Sequence, residues 1–161
     1  VTFGSHDEPL DERGREDATR LQLHRSVQMS IAPDASAREA AMLMGADGEV
    51  DPRLRAIDLG RWAGRRPDEV DARELEQWFT DPDAVPHGGE SITDFVGRLA
   101  KWLDDCRGDH LAVVVAGGTA QGIVAAAIGA RFFGLEVQPA DSINLRRSAG
   151  SWHLRLGQQN W

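Results

Sequence analysis

Five consecutive apolar residues, Leu111 to Val115, run directly into Ala116-Gly117-Gly118-Thr119, and no other stretch limits the possible folds of this chain as much. The run is rich in β-branched side chains and has no polar alternation. That pattern predicts a strand covered on both faces, as in a parallel sheet with helices above and below. The glycines predict a turn, and Gly122–Ala130 is small and apolar enough for a packed helix. A strand, a glycine turn and a helix N-terminus leave backbone N–H groups aimed at one point, where an anion binds readily. The same glycines also suit close strand–helix packing, and the stretch alone leaves both readings open.

Composition narrows the class. At 161 residues the chain has the length of one ordinary domain with a real core, and 41% hydrophobic against 27% charged residues describes a folded globular protein. A net charge of −8 with acids spread along the chain disfavours nucleic acid or an anionic membrane as partner, while a local basic cluster still suits a small anion. A single cysteine, Cys106, allows no internal disulfide and no cysteine-based metal site. The five histidines show no i, i+4 pair, so no metal and no cofactor is expected. No apolar run approaches membrane-spanning length and nothing resembles a signal peptide, so a cytoplasmic location is expected.

Taken in order, Asp11 is a helix cap and Glu12–His24 the helix, with Ala18 and Leu21 inward. A strand is expected near Ser26–Ile31, then a helix Ala35–Met44 stopped by Gly45. Gly48–Leu54 has room for a short strand, and Ile57–Gly64 reads as a compact loop anchored by Trp62. Pro67 opens a helix to about Phe79. Ser91 and Asp94 have capping-box spacing, and Ile92, Phe95, Val96, Leu99, Trp102, Leu103 and Cys106 follow at helical steps, as a core face. Asp141–Arg147 and Ser151–Leu156 read as a hairpin through Ala149-Gly150. Strands alternating with helices predict an α/β domain over 1–161, a three-layer α/β/α sandwich with a largely parallel sheet.

Four phrases in this order resemble the histidine phosphatase, or phosphoglycerate-mutase-like, superfamily. Asp7-Glu8-Pro9-Leu10-Asp11-Glu12-Arg13-Gly14-Arg15 is similar to its "D-x-P-L-T-x-x-G-R", and Leu54–Gly64 to "L-x-E-x-x-x-G-x-W-x-G". Gly88-Gly89-Glu90-Ser91 with Arg98 resembles "G-G-E-S … R", and Val113–Gly118 stands where the family has "V-V-x-H-G/A-G". The resemblance implies a phosphoglycerate-mutase-like fold. It also implies a chemistry of two histidines, two arginines and a carboxylic acid. One histidine takes the phosphoryl group, the arginines and second histidine hold its oxygens, and the acid protonates the leaving oxygen.

Carried over position by position, that machinery is depleted. Ser36 stands where the second arginine belongs, and Arg38 would point about 200° away on a helix. Ala56 stands at the acid's place, with Asp58 as a possible substitute on the same side of an extended segment. Gly117 stands at the second histidine's place. The nucleophile belongs to an "R-H-G" strand farther upstream than the nine residues that precede Leu10 here, so the chain as given is expected to lack that strand. His6 reads as an exposed loop histidine. The resulting expectation is a pseudo-phosphatase with no confident catalytic residue. Its pocket of Gly117, Gly118, Thr119, Ser36, Arg61 and Glu90 would hold a small phosphorylated molecule or an inorganic anion. The alternatives are an active phosphomonoesterase whose R-H-G strand lies upstream of Val1, another chemistry using Asp58, Glu90 or His87, and a structural or partner-binding module. Glu90 equally suits a helix-end ion pair, Trp62 a packing anchor, and Ile123–Phe133 a homodimer face.

Overall fold

The computed structural model describes residues 2–21, 28–106 and 111–155. Among them lie α1 (Glu12–Arg20), β1 (Gln28–Ile31), α2 (Ala35–Leu43), β2 (Glu49–Val50), α3 (Ala72–Thr80), α4 (Ile92–Asp105), β3 (Leu111–Val114), α5 (Gly117–Ile128), β4 (Asn144–Ser148) and β5 (Ser151–Arg155). β2, β1 and β3 form a parallel sheet in that order, with Ile31 opposite Val50 on one side and Val114 on the other.

The pleat sorts the side chains into two cores. Met29, Ile31, Ala112 and Val114 point to one face and meet Ala41 of α2, against which α1 also packs. Leu111, Val113 and Val115 point to the other and meet Phe95, Leu99, Trp102 and Leu103 of α4 and Ile123 of α5. Alternation along the strands thus yields three layers, α1–α2, sheet, and α4–α5. Gly122 sets the α4–α5 distance, because a Cβ there would stand 2.6 Å from Leu99 Cδ1 and 2.7 Å from Phe95 Cε1. A third cluster, Trp62, Trp78 and Ile92, holds the 57–64 loop, with Phe3 stacked on Trp62 at 5.2 Å.

Several expectations need correction. Leu111–Val114 have helices over both faces, as expected, yet each is only half-buried, and the β3 edge away from β1 has no strand beside it among the described residues. Gly117 and Gly118 are not a turn; they are the first turn of α5, which begins five residues before Gly122. The helix expected from Pro67 is two pieces. A 3-10 turn at Pro67–Glu69 ends in extended Val70, and Asp71 then accepts N–H bonds from Arg73 and Glu74 to start α3. The hairpin turns at Ala149-Gly150 as expected, with φ 50° and 82°, the left-handed pair that a two-residue turn demands, but its first strand begins at Asn144 rather than Asp141. It forms a sheet of its own. The expected end of the first helix and start of the first strand, His24 and His110, and Leu156 at the end of the second hairpin strand lie outside the described residues.

Candidate functional site

Two chain reversals define the site. After β1 the chain enters α2 on one face of the sheet, and after the neighbouring β3 it enters α5 on the other. Connections that leave adjacent parallel strands toward opposite faces open a crevice beyond the strands' C-terminal ends, where ligands bind in α/β folds. Ala32 N–H bonds Val114 O at 2.9 Å and Asp51 N–H bonds Ile31 O at 2.9 Å, so the segments leading to Ser36, Ala56 and Gly117 all depart from this end. The three family positions therefore gather at one sheet edge.

Both helices reach that edge uncapped. Neither Asp34, at the start of α2, nor Ala116, at the start of α5, gives a side-chain cap bond to its helix. Each N-terminus carries roughly half a positive charge, which favours an anion. Ser36 lies in the first turn of α2 and is half-buried. Gly117 and Gly118 are exposed and their φ is ordinary. A Cβ on Gly117 would meet only Val137 O, at 3.7 Å, and one on Gly118 nothing within 4 Å. Packing therefore does not call for glycine at either position, and the close-approach reading belongs to Gly122 instead. Thr119 is wholly buried and its Oγ1 has no hydrogen-bond partner. An orphaned hydroxyl in a helix's first turn is unusual, since buried polar atoms are nearly always satisfied.

Asp34 and His6 complete the edge; His6 lies in a turn and stays partly exposed, as expected, but its ring has a buried partner. His6 Nδ1 donates to Asp34 Oδ1 at 2.7 Å, while Ala56 N–H reaches both Asp34 oxygens at 3.2 and 3.0 Å. Asp34 is 3% exposed, and the His6 ring remains 42% exposed. Ala35 N–H also bonds the His6 carbonyl at 2.9 Å. The partners lie 28 residues apart in sequence, so no local spacing signals the pair.

Other candidates are engaged elsewhere. Asp58 is exposed and accepts Gly60 N–H at 2.8 Å, closing its own turn instead of replacing an acid at Ala56. Arg61 binds Pro86 O at 2.9 Å and the Glu74 carboxylate, so it does not line the crevice as a free cation. Glu90 takes Arg98 in a two-point pair at 2.6 and 3.0 Å, and Arg98 also donates to the carbonyls of Arg53, Arg55 and Ala56. This ion pair fixes the segment that carries Ala56; Glu90 is a positioning residue, not a ligand. His87 is 2% exposed, edge-on to Trp62 and Trp78 at 5.0 and 4.4 Å. Its Nδ1 accepts Gly89 N–H at 3.0 Å and its Nε2 has no partner. Burial lowers its pKa, with Arg61 adding to the effect against an opposing Asp58, so the ring stays neutral in the packing. It has no opening to solvent for chemistry.

Two cavities lie away from the crevice. One of about 200 Å³ reaches Gln28 and Leu111, at the opposite end of β1 and β3. The other, about 760 Å³, is an apolar groove between α3, α4 and α5 lined by Trp78, Phe79, Val96, Ala126 and Phe133. Among the described residues no cluster of three metal-ligating side chains occurs, and no helix is long and apolar enough to cross a membrane.

Solved structures share this fold. The phosphoglycerate mutase of Thermus thermophilus superposes with a TM-score of 0.75 at 26% identity, covering 98% of this chain and 89% of that one. The alpha-ribazole phosphatase of Shigella flexneri gives 0.78 at 19% identity, covering 99% and 92%. A protein described as mycobacterial hydrolase 1 gives 0.78 at 24% identity, covering 96% and 88%. A comparison with curated proteins finds no match. The sequence profile of the histidine phosphatase superfamily, branch 1, matches residues 1–160. Together with the crevice between β1 and β3, that match over nearly the whole length places the chain in the histidine phosphatase superfamily.

Proposed function

We propose that this chain is a degenerate histidine phosphatase, one that holds a small phosphorylated molecule or inorganic anion at the crevice without turning it over. The reading is carried by what stands at the crevice: Ser36, Ala56 and Gly117, where the family's resemblance implies a clamping arginine, a proton donor and a second imidazole. A loss of this kind is large. Each preorganised donor to a transferring group is worth roughly 3 kcal/mol, and general acid catalysis on the order of a hundredfold or more. Anion binding survives such losses, because it draws on the two uncapped helix ends.

Hydrolysis of p-nitrophenyl phosphate between pH 4 and 8 tests the reading. The expected result is no turnover above the buffer blank, together with a rise in melting temperature on adding inorganic phosphate. Saturation at a hundred times Kd would add about 2.7 kcal/mol of stability. Turnover within a hundredfold of an ordinary phosphatase overturns the degenerate reading.

One observation favours the second reading, an active phosphomonoesterase completed by an upstream R-H-G strand. β3 and β4 each present an edge with no strand beside it among the described residues. Leu145 and Trp152 of the hairpin nevertheless pack on the same core as Leu111 and Val113 of β3. A strand between β3 and β4 would join the two sheets and cover the half-exposed β3. The test is the reading frame upstream of Val1: an R-H-G phrase after an apolar run, with phosphatase activity of the longer chain, is the expected signature of this alternative.

A further inference from the structure

Asp34 spends a buried carboxylate in an unusual way. It starts α2 yet leaves that helix uncapped, turning both oxygens to Ala56 N–H and one to the His6 ring. A carboxylate that is 3% exposed is costly without charge-assisted partners, so this geometry favours a proton held on His6 Nδ1. His6 is fastened twice, through its carbonyl to Ala35 N–H and through Nδ1 to Asp34. Nδ1 is engaged by Asp34, the side chain is 42% exposed, and Nε2 has no hydrogen-bond partner among the described residues. A carboxylate behind one ring nitrogen fixes tautomer and orientation and leaves the other nitrogen for a ligand.

We propose that His6 Nε2, oriented by Asp34, contacts the ligand at the crevice, and that it selects a phosphate or phosphomonoester over a sulfate. The proposal rests on the anion-binding reading above and names the residue and the ligand class within it. The selection follows from proton inventory. With Nδ1 engaged by Asp34, Nε2 is the ring atom left to meet an anion, across the ring from a carboxylate. An anion meets that pair favourably when a proton is shared between Nε2 and an anion oxygen. A phosphate group, whose last proton titrates close to neutral pH, supplies or shares such a proton, whereas sulfate has none to offer there. Helix ends alone bind both anions and do not make this distinction.

His6→Asn is the decisive variant. Its side-chain amide donates to Asp34 in place of Nδ1–H but has nothing in place of Nε2, so a residue that merely latches the loop tolerates it. Titration calorimetry of the chain with inorganic phosphate and, separately, sulfate at pH 7 and constant ionic strength gives the reading. The expected result is phosphate bound at least tenfold more tightly than sulfate by the parent chain. His6→Asn should bring phosphate down to the sulfate level, whereas His153→Asn, on exposed β5, should leave the preference intact. In the parent chain, phosphate but not sulfate should shift the ¹⁵N resonance of His6 Nε2, a readout that stands even if the variant fails to fold. Equal affinities in the parent, an unmoved Nε2 resonance, or a preference retained by His6→Asn overturns the proposal and leaves the anion-binding reading in place. Failure of the parent to bind either anion overturns both.

Discussion

At the scale of single residues, His87 shows how packing silences a titratable group. Its pKa is lowered mainly by burial between Trp62 and Trp78, so below about pH 6.5 the unfolded chain takes up a proton that the folded chain resists. More protons bound in the unfolded state means stability that falls as the pH falls from near 6.5 toward the lowered folded value. Thermal melts between pH 8 and 5 should show this loss, and His87→Phe should flatten the slope over that window. Glu39 and Asp51 act lower down. Arg15 holds the Glu39 carboxyl below its ordinary value, with help from Leu10 N–H, and Arg53 does the same for Asp51. Their contributions are present above the ordinary carboxylate range and are lost only as the pH falls through their lowered values. The two acid transitions should therefore separate. Gly117 and Gly118 form the other residue-scale contrast. Neither has a strained φ or a close neighbour, so Gly118→Ala should stabilise α5 by about 0.5–1 kcal/mol, read from urea denaturation.

Among elements, the α4–α5 contact and the Glu90–Arg98 pair hold the crevice from behind. Gly122 lets the helices approach until a Cβ would overlap Leu99 and Phe95, both wholly buried. Gly122→Val should therefore cost about 1–3 kcal/mol by overpacking, the opposite sign from Gly118→Ala four residues earlier. The same helix shows two glycines of different meaning, which its composition does not distinguish. The Glu90–Arg98 pair, at 12% and 18% side-chain exposure, ties α4 to the carbonyls of Arg53, Arg55 and Ala56. Arg98→Ala leaves the Glu90 charge and those carbonyls unpaired. The expected cost is about 3 kcal/mol by denaturant titration, with phosphate affinity falling in parallel as the Ala56 segment loosens.

Across the whole molecule, the family architecture stands apart from the loss of chemistry proposed above. The sheet order β2-β1-β3 and the opposite exits of α2 and α5 make the crevice, and they depend on apolar periodicity that the chain retains. The reacting groups are point features that can be lost without disturbing that periodicity. Gly117→His tests the point: its side chain has open space, so the variant should fold with a melting temperature close to the parent's, and under the degenerate reading it should gain no p-nitrophenyl phosphatase activity. The two sheets and the half-exposed β3 belong to this scale too, since no residue within β3 announces that its outer edge has no strand beside it among the described residues.

Local physics was legible in the sequence. The caps at Asp11 and Ser91, the core face of α4, the hairpin turn at Ala149-Gly150 and the order of the family phrases all rest on interactions a few residues apart. The helix expected from Pro67 was misread even so, because Asp71 restarted it. Tertiary structure decided what depends on segments distant in the chain. It brought His6 onto Asp34, gave Arg61 to Glu74 and Glu90 to Arg98, closed His87 between two tryptophans, and left Thr119 buried without a partner. Hydrogen bonds and burial are set by where the backbone carries a side chain, and only the packed layers fix that for partners tens of residues apart.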